Sequence, residues 1–269
     1  MWKNLGKGGI WFAIYFALQN ITSAIFAFIY TIMNISNFPD ATDFDAMFTF
    51  MMDVLFAVTV PSLITASLVM VLVYVLHRKR TKQALDVKSV DWKKLIFFAG
   101  TGCILNVTLN FILNSMLHVF PESWGAALEQ STGSVSTGQP FILLLLGTGI
   151  LVPIMEEITF RYGLHRNIAK SNVVWAYIIS AIAFGLIHGN PIQIMYAILI
   201  GVFLSFVYHK TNNLCYPIII HMSINSASLC SMFFEKDLAF YLTIGGVGLG
   251  LLLVALMAKM CTNKCAKTL

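Results

Sequence analysis

Phe141-Ile142-Leu143-Leu144-Leu145-Leu146-Gly147-Thr148-Gly149-Ile150-Leu151-Val152-Pro153-Ile154-Met155-Glu156-Glu157-Ile158-Thr159-Phe160-Arg161 is the stretch on which the reading of this chain turns. An apolar run of helical length ends in two adjacent carboxylates and an arginine. If the run lies in hydrocarbon, each ionised residue in it costs roughly 2.5–3.5 kcal/mol by insertion scales. Charge in such a place is a functional hypothesis by default, and the first question is whether the run is in a membrane.

Composition answers it. Hydrophobic residues make up 58% of the 269 and charged residues 11%, with a mean hydropathy of +0.80. A soluble domain carries about 25% charged residues. The apolar residues fall into eight blocks, at 10–33, 54–76, 95–117, 141–160, 173–188, 191–208, 214–232 and 238–257. Most are near the roughly 20 residues that cross about 30 Å of hydrocarbon. The pattern predicts an all-α, polytopic integral membrane bundle of about eight transmembrane helices, forming one domain over 1–269. Blocks 173–188 and 191–208 are short and joined through Gly189-Asn190, which suits a partly submerged hairpin. The longest non-helical stretches are then 34–53, 77–94 and 118–140, the last reading as a mobile outer loop.

The basic residues test that count. With the N-terminus inside, segments 1–9, 77–94, 161–172, 209–213 and 258–269 hold sixteen of the seventeen Lys and Arg, leaving only Lys236 outside. Asp40, Asp43, Asp45, Asp53, Glu122, Glu129, Glu235 and Asp237 fall outside. This is the positive-inside bias and needs an even number of spans. It predicts a multi-pass protein of the cell membrane with cytoplasmic N- and C-termini. The net charge of +5 then reports topology and contact with the lipid bilayer, not a nucleic-acid partner. The first apolar block is too long for a signal h-region and reads as an uncleaved span. Cys103, Cys215, Cys230, Cys261 and Cys265 show no metal-ligand or redox spacing and read as packing residues.

Against this background three polar groups stand out: Glu156, Glu157 and Arg161; Phe184 with His188; and His221 with Asn225. Glu157–Arg161, Phe184–His188 and His221–Asn225 are each spaced i,i+4, which puts both members on one helix face. Three helices with polar faces satisfy one another by turning those faces into a shared interior.

Glu-Glu-x-x-x-Arg, Phe-x-x-x-His and His-x-x-x-Asn, in this order on successive apolar segments, resemble the CAAX-processing and bacteriocin-processing intramembrane protease family (CPBP, also called Abi). The resemblance covers 141–232; the first three helices match only in being apolar. It implies an eight-helix bundle that cleaves peptide bonds within or at the edge of the membrane. It further implies that Glu156 and His188 activate water while His221 and Asn225 stabilise the oxyanion. No metal is required in that picture. The alternative is a zinc enzyme using Glu156, His188 and His221, a plausible ligand set with an open fourth position.

The residues can be argued on their own. Amide hydrolysis needs a base for the water, a proton donor for the leaving amine and donors for the oxyanion. A carboxylate deprived of water holds a proton more tightly, which suits a base near neutral pH. Glu156 and Glu157 point about 100° apart on a regular helix and need not share a role. Glu157 is spaced to pair with Arg161 in a supporting ion pair, which leaves Glu156 freer to work. The bland readings are an anchoring Glu–Arg pair and an interfacial histidine, and the latter is kept for His77, His118, His165 and His209. Asn106, Asn110 and Asn114 read as an interhelical hydrogen-bonding stripe.

The expected function is an intramembrane endopeptidase whose partners are membrane-associated or lipid-anchored peptides or proteins. The competing class is a non-proteolytic immunity, scaffold or transport protein. One tension remains at this level. With the fourth helix ending at Phe160, Glu156 and His188 lie up to roughly 15 Å apart in depth. They meet if that helix runs on past Arg161 toward Asn167, or if the fifth helix starts below the surface.

Overall fold

The computed structural model describes residues 1–81, 91–116, 119–136 and 138–233. Every regular element among them is helical: α1 (Trp2–Met33), α2 (Phe44–Arg80), α3 (Trp92–Met116), α4 (Glu122–Ser136), α5 (Phe141–Ala169), α6 (Val173–Leu186), α7 (Pro191–Thr211) and α8 (Cys215–Phe233). A short 3-10 turn, Ile35–Asn37, precedes α2. Side chains set several starts. Asp43 accepts from the Ala46 N–H at 2.9 Å, Asn172 from that of Trp175 at 3.0 Å, and Asn190 from those of Ile192 and Gln193 at 2.9 and 3.2 Å. Asn212, with φ 46°, closes α7 in the left-handed region.

Seven of the eight apolar blocks are helices in place; the eighth, 238–257, lies outside the described residues, as do Cys261 and Cys265. By length and composition α1, α2, α5, α7 and most of α3 suffice to cross a membrane, while α6 is shorter. Three boundaries differ from expectation. Segment 118–140, read as a loop, contains α4. Helix α2 begins at Phe44, well before the start of its apolar block. Helix α5 does not stop near Phe160 but continues to Ala169. Its last turns carry polar residues that are buried by neighbouring helices, so a hydropathy count ends too early.

Helix α5 is the hub. It packs against α1 and α2 on one side and α6 and α8 on the other; α7 pairs with α6, α3 lies along α8, and α4 touches α2 and α7. Phe160, Phe184, Leu204 and Ile220 centre one apolar cluster, and Trp11, Tyr15, Met70, Met155 and Tyr162 another. Outward faces stay apolar: Phe16, Ile21, Ile25 and Phe28 of α1 are 60%, 56%, 50% and 69% exposed. In water such a surface would be an association site; on a multi-pass protein it is the lipid-facing surface.

Without a hydrophobic drive between helices in lipid, close approach rests on small residues. Gly163 is the clearest case: a Cβ there would lie 2.4 Å from Trp11 Cβ and 2.6 Å from its Cγ. Gly163→Ala should therefore push α1 off α5 and lower stability in detergent by about 1–3 kcal/mol, the usual scale for overpacking. Gly9→Ala, with nothing within 4 Å of its Cβ position, should be neutral or stabilising. Thermal unfolding of the two purified variants checks this; equal midpoints would refute the close-approach role.

Candidate active site

Helix α5 carries the acidic pair on a short α-helical segment, Val152–Glu157, between two segments of wider, π-type turns, Leu145–Leu151 and Ile158–His165. Pro153 has no N–H for the carbonyls four and five residues back, those of Gly149 and Thr148. Helix α8 serves them. Asn225 Nδ2 donates to the Thr148 carbonyl at 3.0 Å and the Ser226 hydroxyl to that of Gly149 at 3.4 Å. In the second π segment the Ser180 hydroxyl of α6 donates to the Phe160 carbonyl at 3.0 Å. Such turns recur at functional sites; here they are where α6 and α8 fasten to α5.

Within this frame Glu157 and Arg161 are both fully buried, Arg161 Nε lying 3.0 Å from Glu157 Oε2. The N–H is not aimed along the contact, so the attraction is chiefly between charges. The guanidinium also lies 4.5 Å over the Phe184 ring, and its Nη2 donates to the Gly201 carbonyl at 3.4 Å. The other Glu157 oxygen, Oε1, is 2.9 Å from His221 Nδ1. His221 Nε2 in turn is 3.5 Å from Glu156 Oε2. On its far side Glu156 Oε1 accepts from the Tyr15 hydroxyl at 3.3 Å, which itself accepts from Gln19 Nε2 at 3.0 Å. Glu156 and His221 are 6% and 4% exposed. The result is a buried polar chain from α1 through α5 to α8.

His188 stands beside it. The Phe184 ring centroid is 5.3 Å from that of His188 and 5.4 Å from that of His221. His188 Nδ1 lies 3.0 Å from the Phe184 carbonyl. A carbonyl only accepts, so Nδ1 carries the proton, and in the neutral ring Nε2 holds a lone pair able to take one. Helix α5 runs on to Ala169, one of the two conditions under which the sequence lets Glu156 and His188 meet. Glu156 lies ten residues, about 15 Å, from Arg166, and its neighbour His221 shares the Phe184 ring with His188.

Glu156, Glu157, Arg161 and His221 thus come into direct contact, His188 joins them across Phe184, and Asn225 sits one turn from His221 with one amide N–H committed to Thr148. Instead of separate surroundings, the two carboxylates hold opposite nitrogens of one imidazole. Tyr15 and Gln19 were not among the expected site residues; the available signal was their i,i+4 spacing inside an apolar block. His165 is no loop residue: it is buried in α5 against the rings of Tyr177, Tyr208 and His209. His77 is on α2, its ring 5.3 Å from that of Trp11, and His118 lies outside the described residues. The asparagine stripe bonds within α3, Asn110 Nδ2 donating to Asn106 Oδ1 at 3.1 Å, and the Asn114 side chain is outside the described residues. Among the described residues no three His, Cys, Asp or Glu side chains are gathered as metal ligands.

Residues 138–227, which hold Glu156, Glu157, Arg161, His188, His221 and Asn225, match the family described as type II CAAX prenyl endopeptidase Rce1-like. This match, over about a third of the chain, agrees with the resemblance of its C-terminal half to CPBP membrane peptidases. Two curated relatives are similar to parts of the chain. YxdF of Lactococcus lactis subsp. lactis (strain IL1403), a UPF0177 protein, is 26% identical over 59% of this chain and 89% of its own length. YdiL of Bacillus subtilis (strain 168), provisionally named a membrane peptidase, is 27% identical over 38% of this chain and 42% of its own length. No solved structure matches. Five of the described helices are long and apolar enough to cross a membrane, and the similarities over 138–227 and to YdiL mark the chain as a CAAX-protease-like membrane peptidase.

The geometry separates the two carboxylates by test. Glu157→Ala and Arg161→Ala should each lower folded yield, since each strands a buried charge at a cost of about 3–5 kcal/mol. The double variant should recover part of the loss. Normal yield of both single variants would mean that the pair carries no stability.

Proposed function

We propose that this CAAX-protease-like chain is a CPBP peptidase that hydrolyses membrane-associated or lipid-anchored peptides with a water activated by Glu156 and His188, without a metal. The buried chain Tyr15–Glu156–His221–Glu157–Arg161 carries the reading. It holds one carboxylate neutralised by Arg161 and leaves the other, Glu156, tied only to a hydroxyl and a histidine. In the step proposed, Glu156 takes a proton from water with His188 Nε2 as the second acceptor. The hydroxide adds to the scissile carbonyl. The oxyanion is met by the second N–H of Asn225 and by His221 Nε2–H, which exists when the imidazole is doubly protonated and donates to Glu157 from Nδ1. The proton then passes to the leaving amine as the C–N bond breaks. The basic ends of α1, α2, α5 and α7 support a cytoplasmic placement of that end, in the cell membrane. No step runs through zinc.

Comparing membrane peptides from cells carrying wild-type protein and Glu156→Gln identifies a substrate. On it, purified Glu156→Gln should be slower by about 10²-fold or more while folding normally, and wild-type turnover should survive a divalent-metal chelator. Near-wild-type turnover of the variant would sink the base assignment, and chelator-sensitive turnover the metal-free one.

Asn225 needs a two-part measurement, because its amide also fastens α8 to α5. Asn225→Ala should lower kcat by roughly 10²–10³, as for loss of one oxyanion donor, with KM nearly unchanged. A lowered unfolding midpoint with kcat intact would leave Asn225 as a clamp alone.

A further inference from the structure

Helix α1 lies outside the matched residues 138–227, and with 11% of its most apolar stretch buried it faces lipid on most sides. Its buried side is a narrow seam of Gly8, Trp11, Tyr15 and Thr22. The seam brings α1 close to α5. A Cβ on Gly8 would lie 2.9 Å from Leu164 Cδ1, and the Trp11 ring meets that of Tyr162 at 5.1 Å. Tyr15, one turn further on, is 2% exposed, and its ring rests against that of Phe160 at 5.8 Å. A phenylalanine would make that contact equally well. The hydroxyl is what needs a reason, because burying it has a cost that only a partner offsets.

The hydroxyl has two partners, and they divide its capacities. Gln19 Nε2, one turn along α1, donates to the phenol oxygen at 3.0 Å. The single phenol hydrogen is then directed to Glu156 Oε1, which accepts it at 3.3 Å. This makes the two carboxylate oxygens unequal. Oε1 is engaged by Tyr15, while Oε2 faces His221 Nε2 at 3.5 Å. An oxygen that already accepts a hydrogen bond has less charge to offer a proton, so Oε2 is the better base. Protonation there leaves Oε1 as the carbonyl oxygen of the acid, which still accepts from Tyr15. The bond from α1 therefore survives the proton transfer and holds the carboxyl group in one orientation throughout.

We infer that Tyr15, held by Gln19, is a positioning residue for the base: it engages Glu156 Oε1 and so directs the proton taken from water to Oε2, on the His221 side. The first helix, outside the family match, then completes a site otherwise built from α5, α6 and α8. The assignment rests on Glu156 being the base, and the two fail on different measurements.

Tyr15→Phe keeps the ring and removes the hydroxyl. In the full chain, purified in detergent and assayed on the substrate found by peptide comparison, it should lower kcat by about 10- to 100-fold. That is the rate equivalent of one hydrogen bond to a charged group, and KM should stay nearly unchanged. On the Glu156→Gln background the same change should alter kcat by less than about twofold, since the two residues act as one unit. Tyr30→Phe, fifteen residues along the same helix, should match wild type. Equal slowing on both backgrounds, with a matching fall in the unfolding midpoint, would make Tyr15 structural and overturn the assignment. Wild-type kcat for Tyr15→Phe beside a slow Glu156→Gln would also overturn it, while leaving the base in place. Infrared spectra supply a readout that needs no turnover. The carboxylate band lost in Glu156→Gln should shift in Tyr15→Phe and hold its position in Tyr30→Phe. An unmoved band in Tyr15→Phe would mean that the hydroxyl does not engage Glu156. A shifted band together with normal turnover by Glu156→Gln would remove the base and, with it, the positioning role.

Discussion

A carboxylate and a guanidinium with no access to water, Glu157 and Arg161, are the constraint from which the rest of this bundle follows. Neither charge can remain in hydrocarbon alone, and removing one partner is far costlier than the pair itself is favourable. Each therefore needs every contact that can be supplied. Arg161 draws in the Phe184 ring of α6 and the Gly201 carbonyl of α7. Glu157 draws in His221 of α8. One ion pair on α5 thus organises the three helices that follow it in the chain. The same contacts present His221 to Glu156 and stand Phe184 between the two histidines.

Helix α5 can do this because its backbone is not regular. Pro153 leaves carbonyls without donors, and the π-type turns on either side change which residues face which neighbour. The donors come from α8 and α6: Asn225, Ser226 and Ser180. Architecture and chemistry consequently draw on the same polar residues. Asn225 is the plainest example, one amide hydrogen closing the gap left by Pro153 and the other the oxyanion donor of the proposed mechanism. A peptidase in lipid has few polar side chains for structure alone, and in the proposed mechanism most of those buried near Glu156 serve both ends.

Much of this was legible in the residues themselves. Eight apolar blocks, the alternation of basic segments and three i,i+4 polar pairs follow from the transfer cost of charge and from helix periodicity, which are local properties. Hence the all-α membrane class, the positions of seven helices and the Glu157–Arg161 pair could be read directly. Helix ends could not: α4 and the last turns of α5 are amphipathic or polar, and hydropathy does not distinguish a buried polar turn from a solvated loop.

What the chain could not specify locally is which polar residue meets which. Glu156 and Glu157 diverge on an ideal helix, yet reach the two nitrogens of one imidazole because α8 is drawn between them, a fact of packing across 64 residues. Tyr15 reaches Glu156 over 141 residues only because α1 settles against Gly163. The sequence by itself determined that charge is buried, on which helices and at what spacing, since hydrocarbon imposes that residue by residue. The tertiary structure alone decided the partners, because a buried charge takes whatever complementary group the folded neighbours bring within reach.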